Sequence, residues 1–398
     1  MVYKTDFQDM KLSALGFGAM RLPLIPGGKE KDIDQKAVDE MVDIAIANGV
    51  KYFDTAAPYH AGFSELVIGK SLSRYPRDSF CLADKYPGHQ IASSYDPQGT
   101  FEEQLKKCGV DYFDFYLMHN LNEHSIGNYL DPKWGIVDYF IEQKKLGRIR
   151  HLGFSTHGDV KCIERFLDAY GEHMEFCQIQ LNYLDWTLQD AKSKYEMLTE
   201  RGIPVWVMEP VHGGKLASFS EGLESSLKQL HPDESVPAWA FRFLQGLPNV
   251  RMILSGMSNA EQMKDNIRTF QERKPLDEKE ISVLLDIAEQ LKNSVPCTAC
   301  RYCVKTCPAH LEIPEIIRLY NEARFYPSIN IDMKLLALGE GGKPENCVGC
   351  GMCARMCPQG IKVPELMPEA RKVFDTLPSW IKVCEERETA AAKAAKEL

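Results

Sequence analysis

With 398 residues the chain has room for two or three domains, each with its own core, and its 44% hydrophobic and 26% charged residues are those of an ordinary globular protein. Its 47 basic and 56 acidic residues give a net charge of −9, which argues against nucleic acid or an anionic membrane as the main partner. No apolar run approaches the roughly 18–20 residues that a membrane span needs, and the polar start from Met1 to Met10 carries no signal peptide, so the expected location is cytoplasmic.

From the N-terminus onward, apolar runs alternate with amphipathic stretches. Residues 12–17, 50–54, 80–85 and 113–119 are expected strands, continued by 149–155, 176–182, 204–208 and 251–255. Between them, residues 35–48, 101–108, 132–146 and 161–169 carry helical spacing. Eight strand–helix units in roughly 270 residues predict an α/β fold, a (β/α)8 TIM barrel over residues 1–275, rather than an open sheet. Continuous apolar strands agree with burial on both faces. Residues 276–398 are then a second domain.

Active sites of such barrels are built at the C-terminal ends of the strands. Asp54 ends the second expected strand, Lys85 the third and His119 the fourth, and Tyr59 lies in the loop just beyond Asp54. Singly these are ordinary residues: a turn-capping Asp, a satisfied core His, a packing Tyr, a solvated Lys. Brought to one barrel mouth by three adjacent strands, they form a candidate catalytic site.

The 13 cysteines are unevenly placed. Cys81, Cys108, Cys162, Cys177 and Cys384 stand alone and read as small buried hydrophobes. The other eight repeat one pattern: Cys297, Cys300, Cys303 and Cys307 before Pro308, then Cys347, Cys350, Cys353 and Cys357 before Pro358. Three thiolates at that spacing can wrap one iron–sulfur cubane, while in two-cluster ferredoxins the fourth ligates the other cluster. Cys297, Cys300 and Cys303 are therefore expected to pair with Cys357, and Cys347, Cys350 and Cys353 with Cys307, on two [4Fe–4S] clusters. Disulfides are disfavoured in a chain without export signals, and zinc does not explain a repeated three-plus-one pattern. Residues 313–325, 331–338 and 363–374 are expected helices, which predicts a mainly α-helical ferredoxin-type module with a frayed Ala/Lys tail after Glu385.

The stretch from Asp54 through Tyr59 to Gly62, Ser64, Glu65 and Gly69 resembles the signature of the aldo-keto reductase family after its second strand. Residues 113–119, ending in His119, resemble the strand that carries the family's histidine. Gly153 to Ser155, Gln178 to Gln180 and Pro210 to Gly214 follow in the expected order. With the cysteine module attached, the chain resembles an iron–sulfur branch of that family. The resemblance implies hydride transfer between a nicotinamide, NADP or NAD, and a small-molecule carbonyl or alcohol. Tyr59 would be the general acid or base, and Lys85 would lower its pKa from the ordinary value of about 10. Asp54 would hold Lys85 charged and His119 would orient the carbonyl oxygen. Ser155 and Gln178 would hold the nicotinamide carboxamide, and Ser255, Gly256, Ser258, Gln262 and Asn266 the adenosine half and its phosphates. Gly18, Met20, Asp54, Met208, Pro210 and Gly213 complete the implied cofactor contacts. Three features depart from the family: Thr156 where Asn is frequent, Met208 where an aromatic ring is frequent, and no Lys or Arg from Ser255 to Met263, where a basic residue commonly reads a 2′-phosphate.

A hydride delivers two electrons together, whereas each cubane accepts one. The clusters therefore exchange electrons with something else, such as a redox partner protein, or receive them through a flavin, or serve structure. No flavin motif is legible, so a flavin is not expected. The main expectation is a nicotinamide-dependent carbonyl reductase; an electron-transfer enzyme coupled through flavin and a non-enzymatic redox or iron sensor are the alternatives.

Overall fold

Two units divide the chain, Met1–Leu285 and Asp286–Leu398, in a computed structural model whose described residues are 1–219, 221–292, 295, 297, 299–357 and 359–397. Of the two prolines expected to close the cysteine motifs, Pro358 lies outside the described residues. Among the described residues no helix is long and apolar enough to cross a membrane.

The first unit opens with a hairpin of β1 (Lys4–Phe7) and β2 (Met10–Ser13). Eight parallel strands follow: β3 (Leu15–Gly18), β4 (Tyr52–Asp54), β5 (Cys81–Tyr86), β6 (Phe113–Leu121), β7 (Ile149–Thr156), β8 (Cys177–Gln180), β9 (Val205–Met208) and β10 (Val250–Ser255). They pair in chain order, and β10 returns to β3 to close the barrel. The single strand expected over residues 12–17 is two. The chain leaves the hairpin at Ala14, whose N–H bonds the Tyr3 carbonyl, and enters the barrel at Leu15. Leu12, Ser13 and Leu15 are all buried and Ser13 Oγ donates to the Leu15 carbonyl at 2.8 Å, so the one polar residue at the break is taken up in the interior and no exposed position marks it. The helix expected over residues 132–146 is likewise shorter, Ile136–Lys145, because Gly135 turns left-handed at φ 54 just before it.

Strand periodicity builds the site. Side chains two apart share a face, so Tyr52 and Asp54, Ala83 and Lys85, and Leu117 and His119 form parallel rows. The lower members pack with Phe7, Leu12, Phe115, Phe176, Trp206 and Met252 into one buried cluster. Phe7 stands edge-on to Trp206 with ring centroids 4.8 Å apart, so the hairpin supplies a plug for the barrel floor. The upper members are titratable. Outside the barrel, Gly69 is required by close approach, since a Cβ there would sit 2.5 Å from the Cys108 carbonyl oxygen.

The second unit is helical and, among the described residues, has no strand. Ile313–Phe325 and Val363–Phe374 each carry a proline in the first turn, where its missing N–H costs nothing. Ile316, Ile317 and Tyr320 pack on Val363, Met367 and Ala370 in one core. The unit is an internal repeat: the offset from Cys297 to Cys347 also relates the short helix Tyr302–Lys305 to Met352–Met356 and Pro314 to Pro364. Three positions per copy are left-handed. The second copy fills them with Gly349, Gly351 and Gly360, and the first with Ala299, Arg301 and His310. The tail expected to fray continues as a helix, Trp380–Glu397.

Candidate active site and cysteine pockets

Lys85 is the centre of the barrel mouth. Its fully buried Nζ is bonded to Asp54 Oδ1, donates to the Thr55 carbonyl at 2.8 Å and donates to Tyr59 Oη at 3.4 Å. A buried ammonium is tolerated only with such partners. Burial alone would discharge it, but Asp54 and then Tyr59 hold its pKa above the ordinary lysine value. Burial pushes the Asp54 carboxyl up and Lys85 pulls it back.

The phenol of Tyr59 behaves differently from expectation. Lys85 does lower its pKa, yet burial raises it further and Asp54 adds to the rise, so the balance lies above the ordinary tyrosine value. Its ring is half-buried, but its hydroxyl lies in the Asp54–Lys85 group. Tyr59 is consequently a proton holder at neutral pH. It opens a turn in which His60 and Ala61 both take left-handed backbone, at φ 52 and 53. His60 is buried and fixes that turn: Nε2 accepts the Leu22 N–H at 3.0 Å and Nδ1 faces the Glu30 carbonyl at 2.9 Å. Strain at such a position persists only when its surroundings enforce it.

His119 stands edge-on to Tyr59, with centroids 5.8 Å apart, and to His89 at 4.6 Å. The β6–β7 register slips between Met118 and Leu121, and Asn120 is left-handed at φ 54, so a bulge lies at this histidine. His89, in the loop after β5, is a site residue that the sequence reading missed. Its signal was position, three residues beyond a strand end at the barrel rim. Glu65 of the signature lies behind the site, accepting from Gln104, whose amide also donates to the Lys85 carbonyl.

A second row of polar residues runs round the mouth. Ser155, the last residue but one of β7, and Gln178, the second of β8, are register partners. Ser155 Oγ accepts the Asn120 N–H at 2.9 Å, while Gln178 Oε1 is buried with no protein partner among the described residues. Met208 ends β9, and Pro210 and Gly213 lie in the following loop, Gly213 left-handed at φ 63. Ser255 ends β10 and accepts from Asn266 at 2.9 Å. The Ser258 N–H donates to Gln262 at 2.8 Å beside the N-terminus of Ala260–Thr269, which Asn259 caps. Gly18 lies across from Ser255, where a Cβ would stand 3.3 Å from its carbonyl oxygen. Met20, expected against the cofactor, is 53% exposed. No basic residue occurs in residues 255–263, but the fold brings one there: Arg21 packs against Gly256, accepts a hydrogen bond from Ser258 at its carbonyl, and pairs with Glu209 at 3.6 Å.

In the C-terminal unit, Cys297, Cys300, Cys303 and Cys357 line one pocket, and Cys307, Cys347, Cys350 and Cys353 line another. Ile313 and Val363 line both and so stand between them. Among the described residues no three His, Cys, Asp or Glu side chains converge as ligands of a single ion must. Burial pushes the Cys303 thiol up to about 11, so a metal held there has to displace its proton.

The model of the aldo/keto reductase family matches residues 14–289, about two thirds of the chain. The chain belongs to the aldo/keto reductase family. A 4Fe-4S dicluster domain matches residues 296–361, so this aldo/keto reductase carries a ferredoxin-type domain at its C-terminal end. Among curated relatives, a probable aldo-keto reductase of Glycine max is 28% identical over 244 residues, covering 58% of this chain and 65% of its own. An NADH-specific methylglyoxal reductase of Escherichia coli is 24% identical over 329 residues, covering 71% of this chain and 97% of its own. A solved aldo-keto reductase of Bacillus halodurans in its holo form aligns with TM-score 0.57 at 24% identity, covering 72% of this chain and 96% of that one, and shares the barrel fold. The rim described above is thus the mouth of an aldo/keto reductase barrel.

Proposed function

We propose that the chain is a nicotinamide-dependent carbonyl reductase, acting in reverse as an alcohol dehydrogenase, whose C-terminal unit holds two [4Fe–4S] clusters off the hydride path. The observation that carries this reading is the buried contact set of Lys85 with Asp54, the Thr55 carbonyl and Tyr59. When bound, the nicotinamide supplies the hydride. Tyr59 donates its phenolic proton to the substrate oxygen as negative charge develops there, a role that suits a phenol with a raised pKa. Lys85 stabilises the phenolate left behind, and Asp54 keeps Lys85 charged and aimed. His119 and His89 wall the site where the carbonyl oxygen enters. The buried, unpartnered Gln178 Oε1 suits the amide N–H of a carboxamide, with Ser155 as its neighbour. The N-terminus of Ala260–Thr269, with Ser258 and Gln262, suits phosphates. The name of the E. coli relative adds support for a nicotinamide and for a small carbonyl substrate.

Each four-cysteine pocket would hold one cubane, which supplies one-electron exchange. Direct hydride transfer is tested by isotope: reduced nicotinamide deuterated at C4 should place the label on the carbinol carbon of the product. Unlabelled alcohol formed at the same rate would refute the proposal and favour electron transfer.

A further inference from the structure

We infer that Asp185 and His212 form a buried positioning pair that holds the loop after β9 in the shape required for nucleotide binding. The inference rests on the nicotinamide reading above. Asp185 opens the short helix Asp185–Leu188 after β8, and His212 opens the turn His212–Gly214 after β9. Asp185 Oδ2 lies 2.8 Å from His212 Nδ1, and the two residues are 0% and 1% exposed. The same oxygen accepts from Asn182 Nδ2 at 2.5 Å and from Gln180 Nε2 at 2.9 Å. Asn182 also donates to the Glu209 carbonyl at 3.0 Å, so one amide and one carboxylate tie two successive rim loops together. The other carboxylate oxygen, Oδ1, is buried without a protein partner among the described residues.

The tied loop is one that needs tying. Glu209, His212, Gly213 and Gly214 all have positive φ, at 56, 45, 63 and 93, and the first two pay the Cβ penalty of left-handed backbone. This stretch carries Pro210 and Gly213, both expected against the cofactor, and Glu209, which reaches Arg21 at 3.6 Å. A relaxed loop would therefore move three parts of the nucleotide cleft at once. Burial pushes the Asp185 carboxyl up, but the charge and hydrogen bond of His212, with Gln180 and Asn182, hold it below the usual carboxylate range. A well-packed apolar pair would fill the same volume without desolvating a charge. What the polar pair adds is orientation. Neither residue reaches the Lys85–Tyr59 group in any contact described above, so their role is positioning rather than proton transfer.

The test uses the full-length, cluster-loaded protein with NADH and NADPH as probes. Asp185→Asn, close to isosteric, should raise the nucleotide Kd and KM by about tenfold, while kcat at saturating nucleotide stays within about threefold. Without nucleotide, hydrogen exchange should rise in residues 209–216 and stay unchanged in residues 54–60. His212→Leu should behave like Asp185→Asn. His212→Gln, which keeps an N–H donor, should recover most of the affinity. Should Asp185→Asn fail to fold, the comparison of His212→Gln with His212→Leu decides. A Kd that stays within twofold in His212→Leu, even with a lower Tm, would overturn the inference. If wild-type protein binds neither nucleotide, the proposed function fails, and exchange in residues 209–216 still decides whether the pair holds the loop.

Discussion

The barrel mouth and the cysteine unit solve the same problem, gathering reactive side chains, in opposite ways. Asp54, Lys85 and His119 come from three strands and meet because a closed parallel sheet sets their register. The cysteines come in two local loops, each repeating the other, and long-range order enters only through the fourth residue of each motif, which lines the other loop's pocket. A site made by register tunes its groups by burial and close charge, as at Lys85, where Asp54, with Tyr59, outweighs the desolvation of the ammonium. A site made by loops depends on backbone geometry at a few left-handed positions. Substitutions should accordingly change chemistry in the barrel and cofactor occupancy in the C-terminal unit.

The largest effect is expected at Tyr59. Tyr59→Phe should slow carbonyl reduction by roughly 10²–10⁴-fold, with nucleotide Kd nearly unchanged, because only a proton donor is removed. In wild-type protein the raised phenol pKa should keep the reduction rate level through neutral pH, with loss only at alkaline pH, whereas alcohol oxidation should rise with pH as the phenolate forms. Lys85→Met removes the cation that lowers this pKa, so both limbs should move to higher pH. A pH profile unchanged in Lys85→Met would break the assignment.

Next comes the crossed fourth cysteine. Anaerobically isolated protein should hold about eight irons, and Cys357→Ser should lose about half of them. The lost cluster should be the one at Cys297, Cys300 and Cys303, while NADH or NADPH binding persists. Loss of the cluster at Cys347, Cys350 and Cys353 would show ligation within each motif instead.

A smaller effect lies beneath the barrel. Burial opposes its charge, yet Glu175 has its pKa lowered from 4.5 to about 2 by His151, Lys144, Gln8 and the Leu152 N–H. The folded value lies below the unfolded one, so the stabilisation is present above about pH 4.5 and is lost as pH falls toward 2. Glu175→Gln should cost about 1–2 kcal/mol at neutral pH, since solvent screens part of the interaction with the partly exposed Lys144, and the gap from wild type should shrink on acidification, as read by denaturant titration. A pH-independent gap would assign the effect to packing. The smallest change is a gain: Ala299, left-handed at φ 52 where the second copy has Gly349, should stabilise the C-terminal unit by about 1 kcal/mol as Ala299→Gly.

Most of this organisation was legible as pattern. Apolar runs marked all eight barrel strands, since strands buried on both faces carry little polar interruption. The same property hid the hairpin, because Leu12 and Leu15 are both buried and the only polar residue between them, Ser13, is a small one that is buried as well. Asp54, Lys85, His119 and Tyr59 could be named from strand ends. The direction of the Tyr59 pKa could not, because it depends on how deeply the hydroxyl is desolvated. Arg21 and the Asp185–His212 pair were invisible for another reason. Each acts across loops far apart in sequence, and no local spacing records such contacts. The cysteine spacing could be read outright because a loop of that length determines its own geometry.

The central claim is that the barrel reduces carbonyls by direct hydride transfer while the clusters stand outside that path. It is tested most directly by mixing oxidised, flavin-free, cluster-loaded protein with reduced nicotinamide in a stopped-flow spectrometer, without carbonyl substrate. The account predicts nucleotide binding with no matched bleaching of the cluster absorbance within the time of one turnover. Rapid bleaching in proportion to nicotinamide oxidised would contradict it and put the clusters on the catalytic electron path.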